Sequence, residues 1–289
     1  MQTLISIIVP AYNAAQYIGD TIRSVQTQIF QNWELIIVND GSTDDTIAAV
    51  NAFSADTRIK CITQKNEGVS AARNTGIDSA KGDFIGFLDA DDTMLENNLT
   101  IKLEQLINSK EFDFVFSDVL ECNDKLEHSG MIIKGVNENI LEKILLWEGA
   151  AIPLPAGNII AKKKCFESGL RFDTALSTAA DQDFAIRLAA HFKGKHIAAA
   201  TVCYRILPNS MSRNIAVMEK DHIAVFEKAE KNNLFRSFTF KRQCFSNLYL
   251  ILAGSWWVNG KNKKRALFFM WKSIINRPRN IFKLLKKVF

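Results

Sequence analysis

Three carboxylates fall within four residues at Asp89-Ala90-Asp91-Asp92. Such charges repel one another in a folded site unless a cation neutralises them, and hard oxygen ligands suit magnesium or manganese. The plain alternative is a polar loop in which Asp92 caps the next helix. One aspartate would satisfy that reading, but three after a wholly apolar strand fit it poorly. Asp40, in Asn39-Asp40-Gly41-Ser42, is either a turn residue or an acceptor for a nucleobase edge. Tyr12, close to Pro10, either fills the core or stacks on a base. Arg73 follows the small residues Ser70, Ala71 and Ala72, which let its helix pack closely. It is either a surface arginine or a bidentate phosphate ligand.

These residues need elements to position them. The spacing predicts strands at Leu4–Val9, Leu35–Val38, Ile59–Thr63, Phe84–Leu88 and Phe112–Phe116. Helices are predicted between them at Ala15–Ile29, Asp44–Phe53, Ser70–Ala80 and Leu95–Ile107. Ser42, with Asp45 three residues on, forms a capping-box pattern ahead of the second helix. Continuously apolar strands separated by helices mean an α/β fold with a parallel sheet covered on both faces. Ligands bind such sheets at the carboxyl ends of the strands. Pro10-Ala11-Tyr12-Asn13, Asn39-Asp40-Gly41-Ser42 and Asp89-Ala90-Asp91-Asp92 all fall at that edge. The pattern weakens from Val119 to Ala180. A helix at Asp181–Ala190 and a strand at Ile197–Tyr204 follow, and from about Ala216 the chain reads as helical.

Ser6-Ile7-Ile8-Val9-Pro10-Ala11-Tyr12-Asn13, Val38-Asn39-Asp40-Gly41-Ser42-Thr43-Asp44, Ala71-Ala72-Arg73-Asn74 and Phe87-Leu88-Asp89-Ala90-Asp91-Asp92 occur in this order. Together they resemble the family 2 glycosyltransferases, across roughly residues 3–210. The resemblance implies a GT-A fold, a Rossmann-like, mostly parallel sheet with helices on both faces, here with a C-terminal helical appendix. It divides the chain into a catalytic domain, residues 1–215, and a basic helical region, residues 216–289. It implies an inverting transferase that uses a nucleotide-diphosphate sugar, usually UDP-linked, and Mn2+ or Mg2+. Carried over, Pro10, Ala11, Tyr12, Asp40 and Arg73 line the nucleoside and phosphate pocket. Asp89 contacts the ribose and metal region with Ala90 beside it, and Asp91 is the direct metal ligand. Ala179-Ala180-Asp181-Gln182-Asp183-Phe184 resembles the family's acidic catalytic segment, with Ala180 where a glutamate is usual. Asp181 aligns with the general base, and Asp183 is its rival, equally readable as a helix-start charge favoured by the dipole. Tyr204-Arg205 and Asn209-Ser210-Met211-Ser212-Arg213 resemble a loop after the last domain strand, from which Arg213 would reach the diphosphate. Ile206-Leu207-Pro208 leaves no histidine metal ligand there.

Other classes fit less well. A dinucleotide-dependent oxidoreductase needs a glycine-rich turn after the first strand. A nucleotidyltransferase wants such a turn and a lysine. Pro10-Ala11-Tyr12-Asn13 supplies neither. The remaining alternative is a nucleotide-sugar-binding, inactive subunit of a glycan-assembly complex, supported by Ala180 alone.

The net charge of +5 is unevenly spread. The first 230 residues carry 22 Lys and Arg against 31 Asp and Glu, whereas the remainder carries 14 Lys and Arg and no acid. The helical region is therefore expected to touch an anionic membrane surface rather than nucleic acid. Ile281, Leu284, Leu285 and Val288, flanked by Lys283, Lys286 and Lys287, are the expected contact, while Leu248–Ile275 is expected to pack on the catalytic domain. The acceptor is then a glycan or a lipid-linked one, with Trp147, Gly157 and Asn158 as candidates to meet it. The five scattered cysteines, with no CxxC pair, read as reduced residues of a cytoplasmic protein. The longest apolar run near the C-terminus, Leu248–Val258, is too short to span a bilayer.

Overall fold

The computed structural model describes residues 3–207 and 214–280. Arg213 and the expected membrane contact at Ile281–Phe289 lie outside the described residues. The chain opens with β1 (Ile5–Ala11), α1 (Ile18–Gln26), β2 (Trp33–Asp40), α2 (Thr46–Asn51), β3 (Ile59–Gln64), α3 (Val69–Ser79) and β4 (Phe84–Phe87). The four strands pair in parallel in the order β3-β2-β1-β4. Successive β1 side chains point to opposite faces. Ile5, Ile7 and Val9 join Ile18, Ile22 and Val25 of α1 in one core cluster. Ile8 faces the other way, onto α3. There Gly76 approaches so closely that a Cβ would lie 2.3 Å from Ile8 Cγ2. With both faces covered, β1 must be apolar throughout, and each fully buried branched side chain contributes about 1.5–3 kcal/mol.

The second half continues with β5 (Thr93–Met94), α4 (Asn98–Asn108), β6 (Phe114–Cys122), β7 (His128–Ile133), α5 (Ile140–Leu146), α6 (Pro155–Asn158), β8 (Ile160–Lys162), α7 (Lys164–Glu167), α8 (Ala180–His191) and β9 (Gly194–Arg205). These strands extend the sheet as β4-β8-β6-β9-β5, with β7 on β6. Here the architecture departs from the expected parallel sheet. β8 is antiparallel to both β4 and β6, and β5 is antiparallel to β9, so the sheet is mixed. β8 and β5 are three and two residues long, too short to leave a hydrophobic period in the sequence.

Two local expectations fail. Ser42 does not cap α2; its Oγ accepts from Asn13 N at 3.0 Å, and Thr46 N donates to Asp44 Oδ1 at 3.0 Å instead. The cysteines are not all reduced. Cys122 and Cys203, 81 residues apart, form a disulfide with a Cα–Cα distance of 6.1 Å. Pairing of β6 with β9 makes that contact, which sequence spacing does not encode.

Three helices, α9 (Ile215–Lys231), α10 (Phe238–Val258) and α11 (Lys263–Asn276), follow. Val225, Phe226, Phe240, Leu248 and Phe269 share one buried cluster with Leu145 of α5 and Phe184 of α8. The opposite face does not match the expected packing: Trp257, Leu267, Phe268, Trp271 and Ile275 are exposed. Among the described residues, no helix is long and apolar enough to cross a membrane.

Candidate active site

The carboxyl ends of β1, β2 and β4 form one edge, as the parallel register requires. Pro10 lies opposite Val38, and Ala11 opposite Asn39. Ala11 is buried, while Tyr12 just beyond it is 52% exposed, so its ring is presented rather than packed. Asp40 is buried, and its carboxylate accepts from Gln64 Nε2 and from the backbone N–H groups of Glu67 and Gly68 at 2.8–3.0 Å. It thus shapes the turn that launches α3. A carboxylate has about four acceptor positions, so one remains for a base. Gly41 suits this turn, with φ of +70° and no room for a Cβ against Asn66 N.

Arg73, expected to line the phosphate pocket, is engaged by two carboxylates. Its side chain is buried, Nη2 donates to Asp89 at 2.7 Å, and Nη1 donates to Asp181 at 2.6 Å. The guanidinium also lies 5.1 Å from the centroid of the Phe172 ring. Burial opposes its charge, but Asp181 and Asp89 outweigh burial and raise its pKa. One buried cation therefore joins the carboxylate after β4 to a carboxylate in the first turn of α8, 92 residues later.

The three carboxylates after β4 have different surroundings. Asp89 shares Arg73. Asp92 is buried, its Oδ1 accepts from Arg205 N at 2.9 Å and its Oδ2 has no partner. Burial, then the charges of Asp89 and Asp91, push its pKa well above the usual carboxylate range. Among the described residues, no lysine or arginine forms an ion pair with Asp91. Burial and the Asp89 charge raise its pKa to about 6. A partly buried carboxylate without an ion pair beside another carboxylate is the donor set a hard divalent cation would relieve, so Asp91 and Asp89 fit Mn2+ or Mg2+.

The backbone around Ala90 is fixed by residues whose part the sequence did not reveal. Thr21 Oγ1 lies 2.9 Å from Ala90 O and 2.8 Å from Asp92 O. Arg205 donates to Asp91 O at 2.8 Å, to Asp124 O at 2.6 Å and to Asp20 Oδ2 at 3.0 Å. Tyr204-Arg205 was a recognisable signal, but its target was not.

Asp181 and Asp183 separate cleanly. Asp183 is buried, accepting from Arg187 Nε at 2.8 Å and from Lys228 Nζ of α9 at 2.7 Å. Asp181 gives Oδ1 to Arg73 and remains 37% exposed. Burial holds its pKa above the ordinary value against the pull of Arg73. Ala180 is buried and places no carboxylate in the site. Of the other candidates, Gly157 lies against Asp89, whereas Asn158 is buried and bonded to Lys102 and Ser117. Trp147 borders a cavity of about 340 Å³ that also contains Asp181. Another cavity of about 350 Å³, near Gly194, touches none of these site residues.

Comparison with known proteins agrees with this geometry. An uncharacterized glycosyltransferase of Rickettsia bellii is 31% identical over 173 residues, covering 58% of this chain and 24% of that protein. The chain thus spans about a quarter of the length of that relative. The UDP-Glc:alpha-D-GlcNAc-diphosphoundecaprenol beta-1,3-glucosyltransferase WfgD of Escherichia coli is 42% identical over 107 residues, covering 37% of this chain and 42% of that protein. The mannosyltransferase PcManGT of Pyrobaculum calidifontis, solved with GDP-Man and Mn2+, superposes with a TM-score of 0.63 at 16% identity, covering 99% of this chain and 80% of that chain. That likeness shows the shared GT-A fold. Residues 6–158, more than half of the chain, match Glycosyl transferase family 2, and this chain, with its edge of motif carboxylates on a GT-A sheet, belongs to that family.

Proposed function

We propose that the protein transfers a sugar, with inversion, from a nucleotide-diphosphate sugar to an acceptor hydroxyl in the synthesis of a cell-surface polysaccharide or glycolipid. The observation that carries this reading is the Asp89–Arg73–Asp181 bridge, which places a donor-side carboxylate and a base candidate on one guanidinium. Tyr12 stacks on the base, and Pro10, Ala11 and Asp40 shape its pocket. A uridine donor is favoured because WfgD, a relative, is named for UDP-Glc. Asp91, with Asp89, holds Mn2+ or Mg2+, which when bound neutralises charge on the departing diphosphate.

Asp181 accepts the proton of the acceptor hydroxyl as that oxygen bonds to the donor's anomeric carbon and the bond to the diphosphate breaks. A single displacement inverts the centre and needs no covalent enzyme intermediate. Asp183, engaged by Arg187 and Lys228, is assigned a structural role. A panel of nucleotide sugars tested with Mn2+ should give metal-dependent stabilisation and slow donor hydrolysis with one of them. Binding without hydrolysis or transfer to any acceptor would favour the inactive-subunit reading, and no binding would overturn both.

The acceptor is lipid-linked in this reading, and the helical region meets the membrane. The exposed apolar face of α11 supports this. Lys263 lies 5.6 Å from the Trp257 ring and Lys272 lies 4.9 Å from the Phe268 ring. Arg265 is paired with Glu219 of α9, but Lys263 and Lys272 have no ion pair among the described residues. Aromatic residues with basic neighbours suit an anionic interface, where each basic residue contributes about 1 kcal/mol. The full chain should sediment with anionic vesicles at low salt, and the F268E/W271E double variant should not. Undiminished sedimentation of that variant would remove α11 from the contact.

A further inference from the structure

The cavity beside Asp181 has a chemistry of its own. One wall is Trp147, whose ring stacks on His222 with centroids 4.5 Å apart and planes 12° from parallel. Trp147 ends α5 in the left-handed region, at φ 47° and ψ 43°. A bulky residue holds that conformation only where its surroundings fix it, and such residues gather at ligand clamps. Here the fixing is visible: Asn247 of α10 donates to Leu146 O at 2.8 Å and to Glu148 Oε1 at 3.1 Å, bracketing Trp147 on both sides. His222 is set by a 2.8 Å contact from Nδ1 to Met218 O. A carbonyl only accepts, so Nδ1 carries the proton. Burial lowers the pKa of the ring and keeps it neutral, which leaves Nε2 an acceptor.

Two further side chains offer acceptor atoms. Gln182 lines the cavity, and its Oε1 is buried without a partner. Such an atom is costly unless a ligand supplies the donor. Asp181 has committed Oδ1 to Arg73, and its Oδ2 takes no hydrogen bond among the described residues. Gln182 Oε1, His222 Nε2 and Asp181 Oδ2 are therefore all acceptors. Among the described residues, no lysine or arginine lines the cavity. A volume of about 340 Å³ is near the small end of ligand pockets. Thr178 also lines the cavity, with its hydroxyl donating to Asp221 Oδ2 at 3.2 Å, and the remaining side chains, including Ile152, Leu154 and Ala185, are apolar.

Three acceptor atoms, an aromatic wall and, among the described residues, no cation suit a ligand that donates several hydrogen bonds, presents apolar C–H groups and carries no negative charge. We propose that this cavity is the acceptor subsite and that it holds an uncharged pyranose ring, with the ring face on Trp147 and hydroxyls on Gln182, His222 and Asp181. A uronate or phosphorylated ring is rejected, because its anion would meet acceptors and the Asp181 carboxylate with nothing to pair it. This deepens the transferase reading and rests on it for the cavity's role as acceptor subsite and for the step in which Asp181 takes the proton, while the binding of the ring stands apart from it.

The test is direct binding to the full chain, read by saturation-transfer NMR. The probes are methyl glycosides of neutral hexoses, of N-acetylhexosamines and of hexuronic acids. At least one neutral glycoside should bind, with the hexuronides at least tenfold weaker. Trp147→Ala should cut the signal at least fivefold, Trp147→Phe should restore most of it, and Gln182→Leu should weaken binding without disturbing the fold seen by circular dichroism. Equal binding of hexuronides, no binding of any neutral glycoside, or wild-type binding by both Trp147→Ala and Gln182→Leu would overturn the assignment. Nucleotide-sugar binding with Mn2+ is measured on the wild type alongside. Its absence with glycoside binding intact would count against the transferase reading and leave the cavity as a binding site for a neutral ring. The reverse result would sink the cavity assignment alone.

Discussion

Asp89-Ala90-Asp91-Asp92 and Ala180-Asp181-Gln182-Asp183 look alike as acidic clusters, but the fold treats them differently. In the first, the carboxylates follow a buried strand into a loop whose backbone is pinned by Thr21 and Arg205. Among the described residues, Asp91 has no ion pair, and only the nearby charge of Arg205 offsets its own. In the second, the carboxylates lie two residues apart on a helix and so point away from each other. Asp183 turns into the protein and is fully paired, while Asp181 turns to the cavity and shares Arg73. A charge held by two cations makes structure. A carboxylate with an uncommitted oxygen, or with no cation, is available for chemistry.

That contrast can be broken most sharply at Asp91. Asp91→Asn should abolish metal-dependent donor binding, because a neutral amide is a poor ligand for a hard cation. Titration calorimetry with donor and Mn2+ checks it, and wild-type metal dependence in the variant would remove Asp91 from the metal site. Next comes Asp181→Asn, which keeps an acceptor for Arg73 but loses the base. Turnover should fall about a hundredfold or more with donor affinity nearly intact. Should Asp183→Asn give that pattern instead, the two roles must be exchanged.

A smaller effect separates the clusters by pH. With its pKa raised to about 6, Asp91 is ionised above that pH and increasingly protonated below it. Protons then compete with the cation, and apparent metal affinity should fall by up to about tenfold per unit below pH 6. The effect on the stability of the metal-free fold has the opposite sign. A carboxyl whose folded pKa is raised binds a proton more readily when folded, so Asp91 weakens the fold as pH rises from about 4 to about 6. Mn2+ should therefore raise the melting temperature more at pH 8 than at pH 5, and equal shifts would contradict the assignment.

The smallest effect on catalysis belongs to Asp183. Asp183→Asn should leave turnover of the folded enzyme close to wild type but weaken the α8–α9 contact. Since Arg187 and Lys228 are partly exposed, the loss should be about 2 kcal/mol, below that for a fully buried pair. Urea unfolding measures it, and unchanged stability would mean that the paired carboxylate holds nothing together.

Much of the first half was legible before any coordinates. Ser6–Val9, Leu35–Val38 and Phe84–Leu88 announce buried parallel strands because both of their faces are covered, and their polar ends then fall on one edge. The second half was not legible in the same way. β8 and β5 are too short to show a period, and their antiparallel pairing depends on where the chain returns. The same limit applied to the disulfide, since only the β6–β9 pairing brings Cys122 to Cys203.

The sequence by itself determined the order of the motifs, the edge on which they gather and the identities of the reactive groups. These depend on local periodicity and side-chain chemistry, which a linear chain carries in full. Tertiary structure alone decided which groups are paired. Arg73 reads as a phosphate ligand from its neighbours, and only the fold shows that it is bonded to Asp89 and to Asp181, the latter 108 residues away. Trp147, Gln182 and His222 become one cavity only when α5, α8 and α9 pack around a common core. Pairing and burial set the charge a carboxylate keeps, and both depend on contacts between segments far apart in the chain.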